Sequence, residues 1–245
     1  DEHDKKYMDL LSCYSALNFG HRHPAILAAV RDQCERVTLV PRSYHNTELG
    51  PLCRELAELC GLDRVLPMNS GAEAVETAIK TARSWGYANK GVAPDRAQII
   101  VADQNFHGRT VTVVSFSSEA HYRDGFGPFT PGFVSVPFGD AKAIERAIGP
   151  DTVAVLLEPI QGEGGVIVPP DGYLRACREI CERAGIVLIW DEVQTGFGRT
   201  GRNFCWQHEG ARPDLMTLGK ALGGGVYPVS AVVGTEAVLG VLRPG

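Results

Sequence analysis

Seven runs of Val, Ile and Leu punctuate the chain from residue 97 onward, each far shorter than a membrane span and too evenly apolar to leave one side in water. They are AQIIVAD (97–103), TVTVVSF (110–116), GFVSVPF (132–138), TVAVLLEP (152–159), IVLIWDEV (186–193), DLMTLGK (214–220) and PVSAVVG (228–234). Apolar residues without alternation predict strands covered on both faces. Amphipathic stretches at 24–36, 51–60, 72–86, 140–148 and 171–184 predict the covering helices. In the last of these, Leu174, Cys177, Ile180 and Cys181 share one face and Gly185 follows as a stop. Such alternation reads as an α/β fold with a mostly parallel seven-stranded sheet flanked by helices. Ligands in such folds collect at the carboxyl ends of the strands.

Composition narrows the partners. Twenty-four basic against 29 acidic residues leave a net charge of -5 with no basic stripe, which argues against nucleic acid. No apolar run approaches the ~20 residues of a membrane helix. The opening DEHDKKYMDLL is charged where a signal peptide is apolar. None of the seven cysteines forms a CxxC pair; Cys177 and Cys181 read as small buried thiols on a helix, the compartment reads as reducing, and no His, Cys or Asp spacing suggests a metal. Both ends look abrupt. KKYMDLL reads as a short strand whose partner precedes it, and residues 1–40 as a segment leading into one large domain, 41–245, with a smaller C-terminal domain absent from the chain.

Four segments carry chemistry. Lys220 closes an apolar run and is followed by Gly223, Gly224 and Gly225, which leave room for a flat ligand to approach the backbone. A lysine kept among apolar groups loses its proton more easily and serves as an amine nucleophile, although a lone lysine at a strand end is also commonly just solvated. Asp191 and Glu192 follow an apolar run ending in Trp190, so one carboxylate is driven towards the buried end of a strand. It then needs a fixed cation, either a protonated ring nitrogen or a nearby arginine, Arg199 or Arg202. Ser70 precedes a helix-favouring run with Glu73 three residues on, a capping box. The free amides of Gly71 and Ala72 beside it make a phosphate cradle. In NFHGRT, Phe106 is placed to stack on a planar ring and Arg109 to clamp a carboxylate. A phosphorylated, flat aromatic aldehyde with a ring nitrogen satisfies all four, and pyridoxal phosphate is such a molecule.

SCYSALNFGHRHPAI, LPMNSGAEAVETAIKTAR, NFHGRT, DGFGPFTPGF, EPIQGEGGV, DEVQTGFGRTG and RPDLMTLGKALGGGVYPVSAV together resemble the class III, or ω-amino acid, aminotransferases over essentially the whole chain. The resemblance implies the large domain of a fold-type I pyridoxal-phosphate transferase and is strongest to members that act on ornithine. It implies that Lys220 binds the cofactor covalently and carries a proton, and that Asp191 keeps the ring nitrogen protonated. Gln194 would bond the ring 3-oxygen, Ser70, Gly71 and Ala72 the phosphate, and Phe106 would cover the ring. Arg109 would meet a substrate carboxylate, Tyr14 would favour a long diamine, and Glu163 would pair with an arginine lying beyond these residues. The implied reaction moves the δ-amino group of ornithine to 2-oxoglutarate in ping-pong order within a homodimer, in the bacterial cytoplasm or the mitochondrial matrix. An acetylornithine, 4-aminobutyrate or lysine donor stays open, as does a truncated binding module without activity.

Overall fold

The computed structural model describes residues 1–41 and 43–243. Seven strands form one sheet: β1 Arg64–Met68, β2 Gln98–Ala102, β3 Phe133–Val136, β4 Thr152–Leu157, β5 Val187–Asp191, β6 Leu215–Leu218 and β7 Ser230–Gly234. Their order is β1-β7-β6-β5-β4-β2-β3. All neighbours run parallel except that β7 is antiparallel to both β6 and β1.

Because strand side chains alternate between faces, each strand feeds two cores. Ile99, Val101, Leu156 and Ile189 face a layer built on helix Gly71–Trp85. Ile100, Val155, Leu157, Leu188 and Trp190 face helices Ala141–Ala147 and Tyr173–Ala184. That double burial is why the strands lack alternation, and each fully buried Leu or Ile contributes roughly 1.5–3 kcal/mol. Leu174, Cys177, Ile180 and Cys181 form the buried stripe expected of their helix, which ends on left-handed Gly185.

Among the described residues six of the seven strands fall on runs read from the sequence, and one run does not form a strand. The run 110–116 is not a strand; its centre is the helix Val111–Ser115. Both edges of β2 are taken by β3 and β4, so the chain leaving β2 has no neighbouring place in the sheet. It buries Val113, Val114 and Phe116 from a single turn of helix instead. The seventh strand is β1, the segment leading into Ser70, paired antiparallel with β7. The KKYMDLL piece also forms no strand: residues 1–11 are exposed, and Ser12, Cys13, Tyr14 and Ser15 follow in a run of positive φ.

Six strands, all but β7, point their carboxyl ends the same way. The loops after β1, β2, β4, β5 and β6 therefore meet along one edge of the sheet, where doubly wound folds bind ligands.

Candidate active site

Five of those loops close around a cavity of about 180 Å³ lined by Gly71, Ala72, Phe106, His107, Gly108, Glu158, Asp191, Val193, Gln194 and Lys220. Asp191 is the last residue of β5 and only 5% exposed. Its cross-strand partner is Thr217, whose Oγ1 donates to Oδ1 at 2.9 Å, and the Val193 N–H donates to the same oxygen at 3.1 Å. His107 Nδ1 donates to Oδ2 at 2.6 Å from a fully buried ring. The counter-charge of Asp191 is thus His107, not Arg199 or Arg202. Arg199 instead donates to Asn18 Oδ1. Burial opposes the imidazolium, but the bond to Asp191, its charge and that of Glu158 outweigh it and raise the His107 pKa.

Lys220 follows Gly219 at the end of β6 and adopts φ 44°, a left-handed conformation that costs a non-glycine residue on the order of 1 kcal/mol or more. The turn brings its half-buried side chain to the cavity. Burial lowers the ammonium pKa, and the charges of Asp191, Glu163 and Glu158 oppose that shift. The neutral, nucleophilic form of the amine is thus easier to reach than in a solvated lysine.

Ser70 caps helix Gly71–Trp85 as its sequence predicts. Its Oγ accepts the Glu73 N–H at 3.3 Å, and Glu73 takes the N–H groups of Ser70 and Asn69 at 2.7 and 2.9 Å. With those donors engaged, the first-turn amides of Gly71 and Ala72 are left at the cavity wall. Gly108, at φ 119°, lets the Phe106 loop lie against this helix start; a Cβ there would stand 2.8 Å from that of Ala72. Ser70 itself lines an adjoining pocket of about 530 Å³ that also reaches Lys220, with Cys13, Ala16 and Leu17 across from it.

The three substrate-side candidates stand outside the 180 Å³ cavity. Arg109 is exposed, its guanidinium 5.0 Å from the Tyr122 ring centroid and 5.9 Å from that of Phe106. Glu163 is exposed in a pocket of about 220 Å³ behind Phe106. Tyr14 is 53% exposed, on the turn whose neighbours Cys13 and Ala16 face Lys220.

Sequence reasoning missed His107 and Glu158. Glu158 ends the apolar run of β4 as Asp191 ends that of β5, and that repeated pattern was the available signal. Its carboxylate is 6% exposed and accepts the Phe106 N–H at 3.0 Å and the Gly162 N–H at 3.2 Å. Burial pushes its pKa up to about 7 against those bonds and the charge of His107.

The aminotransferase class-III family profile matches residues 1–245. The chain belongs to that family. An ornithine aminotransferase of Brevibacillus brevis is 53% identical over all 245 residues, which span 61% of its length. An ornithine aminotransferase structure from Toxoplasma gondii, described with partial occupancy of PLP at its active site, superposes at TM-score 0.98 with 47% identity. The match covers the whole chain and 58% of that protein. An acetylornithine aminotransferase from Elizabethkingia anophelis superposes at TM-score 0.88 with 43% identity, again over the whole chain and 58% of the neighbour. The chain thus spans about 60% of the length of the relatives it matches.

Class-III aminotransferases depend on pyridoxal phosphate, and the cavity's donor set fits that molecule. A buried carboxylate backed by an imidazolium suits a protonated ring nitrogen, helix-start amides suit a phosphate, and a desolvated amine suits an aldehyde.

Proposed function

We propose that the protein transfers the δ-amino group of ornithine to 2-oxoglutarate, giving glutamate 5-semialdehyde and glutamate in two ping-pong half-reactions. The observation that carries this reading is one cavity lined by both an amine in a strained, desolvated turn, Lys220, and a charge-backed buried acid, Asp191. When bound, pyridoxal phosphate supplies a reactive aldehyde and an electron-withdrawing ring. Lys220 Nζ holds that aldehyde at rest and, once released, takes a proton from the amine-bearing carbon of the donor. Asp191 keeps the ring nitrogen protonated, with its charge fixed by His107, Thr217 and the Val193 amide. Gln194 donates to the 3-oxygen, Gly71 and Ala72 with Ser70 hold the phosphate, and Phe106 covers one ring face.

On the substrate side, Arg109 meets a carboxylate, Tyr14 favours the diamine, and Glu163 receives an arginine from outside these residues. Ornithine as donor is supported by the names of the relatives. The Elizabethkingia neighbour supports acetylornithine as the second reading. Side-by-side turnover of ornithine, acetylornithine, 4-aminobutyrate and lysine with 2-oxoglutarate tests both; a preference for acetylornithine rejects ornithine.

A homodimer is supported by an apolar groove of about 850 Å³ between helix Pro24–Arg36 and residues 221–227, beside exposed Phe19, Val37 and Tyr227. Seven free thiols fit a reducing compartment, the cytoplasm or, in a eukaryotic host, the mitochondrial matrix. Among the described residues no helix is long and apolar enough to cross a membrane.

A further inference from the structure

The Gln194 amide is seated over residue 162, in space that a Cβ there would fill. A Cβ at residue 162 would overlap Oε1 and Cδ of Gln194 and stand 2.9 Å from Nε2. Gly162 is not in the left-handed region, so its backbone would tolerate other residues and the demand is for space alone. The Gln194 amide makes no hydrogen bond among the described residues, which leaves packing to decide where it points.

The seat itself is fastened. Gly162 donates its N–H to Glu158 Oε1, while Glu158 Oε2 takes the N–H of Phe106. Gln161 and Ile167 exchange backbone bonds of 3.1 and 2.8 Å, the Gly162 carbonyl accepts from Gly165 and Val166, and Gln161 Nε2 donates to the Asp103 carbonyl at 2.7 Å. The 161–167 loop is thereby closed on itself and tied to the loop after β2.

We propose that Gly162, held by the buried Glu158 carboxylate, is the positioning residue that aims the Gln194 amide into the cofactor cavity. One carboxylate then sets two walls at once, Phe106 through its own amide and Gln194 through Gly162. An amide already placed before the ligand arrives loses little side-chain entropy on binding, which is the gain such a seat provides. This inference rests on reading Gln194 as a cofactor contact.

The test is a double-mutant cycle on the intact protein with Gly162→Ala, Gln194→Ala and the pair. Two readouts are followed: the affinity of the apoprotein for pyridoxal phosphate, from quenching of tryptophan fluorescence, and the pH midpoint of the bound cofactor's visible band. Each single change is expected to weaken binding about tenfold, the loss of one charge-assisted hydrogen bond, and to move the midpoint in the same direction. The pair should be no worse than either single change within about twofold, because both remove the same contact. Wild-type binding and midpoint in Gly162→Ala alongside a weakened Gln194→Ala overturns the proposal, as does full multiplication of the two effects. Wild-type behaviour of Gln194→Ala removes the cofactor contact and this inference with it, while the assignment of Lys220 stands on its own test. Should Gly162→Ala fail to fold, Glu158→Gln replaces it in the cycle. That variant keeps the volume but turns an amide N–H towards one of the two backbone donors, and the same non-additivity is expected; independent effects overturn the proposal.

Discussion

His107 and Asp191 form a buried pair, Nδ1 to Oδ2 at 2.6 Å, beneath the cavity that holds Lys220. A carboxylate can only accept, so the bond puts a proton on Nδ1, and the raised pKa extends the charged, doubly protonated ring to higher pH. His107→Phe strands a buried charge and is expected to destabilise the apoprotein by about 3–5 kcal/mol in urea unfolding. Adding Asp191→Asn should recover much of that loss, since both charges are then gone.

Lys220→Ala is expected to abolish turnover. Borohydride treatment of the wild type should fix pyridoxal phosphate to the tryptic peptide containing Lys220, and mass spectrometry should find no such adduct in the variant. Turnover at the wild-type rate in Lys220→Ala would remove the amine from the mechanism.

At Gly108 two penalties coincide, a φ of 119° and the close approach of Ala72. Gly108→Ala should cost about 1–3 kcal/mol of stability and push the Phe106 loop off the helix start. Thermal unfolding reads the first effect. Weaker cofactor binding, by about tenfold for one lost favourable contact, reads the second.

Asn18 clasps the turn that bears Tyr14 to the loop after β5. Its Nδ2 donates to the carbonyls of Gly196 and Phe197 at 3.3 and 3.0 Å, and its Oδ1 accepts from Arg199. Asn18→Ala should raise KM for the amino donor about tenfold, as expected for loosening a hydrogen-bonded clasp, with kcat and cofactor affinity little changed. A fall in kcat at constant KM would contradict a role in placing the substrate-side turn.

Burial raises the pKa of Glu192 to about 7, against bonds from Thr195, Cys205 and Trp206, and does the same to Glu158. Both folded values lie above the ordinary glutamate value of 4.5, so between about 4.5 and 7 the folded state binds more protons than the unfolded one. Apoprotein stability should therefore fall as pH rises through that window and level off above it, by up to about 3 kcal/mol per group. Glu192→Gln should flatten the slope, measured as urea midpoints from pH 4.5 to 8.

Much of the chemistry was legible because it is local. The capping box from Ser70 to Glu73 spans four residues, and Lys220 and Asp191 each end an apolar run that advertises a strand. The strand runs were legible for the same reason, with the exception of 110–116. There the residue types suit a strand, but the sheet has no edge beside β2 to receive one. His107 stayed hidden because its partner lies 84 residues away, and Glu158 because its contact to Phe106 spans 52.

What the amino-acid order alone determined is therefore the layered α/β class, the amine and the acid at strand ends, and the capped helix start, since each follows from side-chain type and short-range period. Which strands pair, which cation answers Asp191 and which side chain lies over Gly162 were decided only when the chain closed into a sheet. Those facts depend on which loops arrive at a common edge, and hydrophobic periodicity carries no information about that.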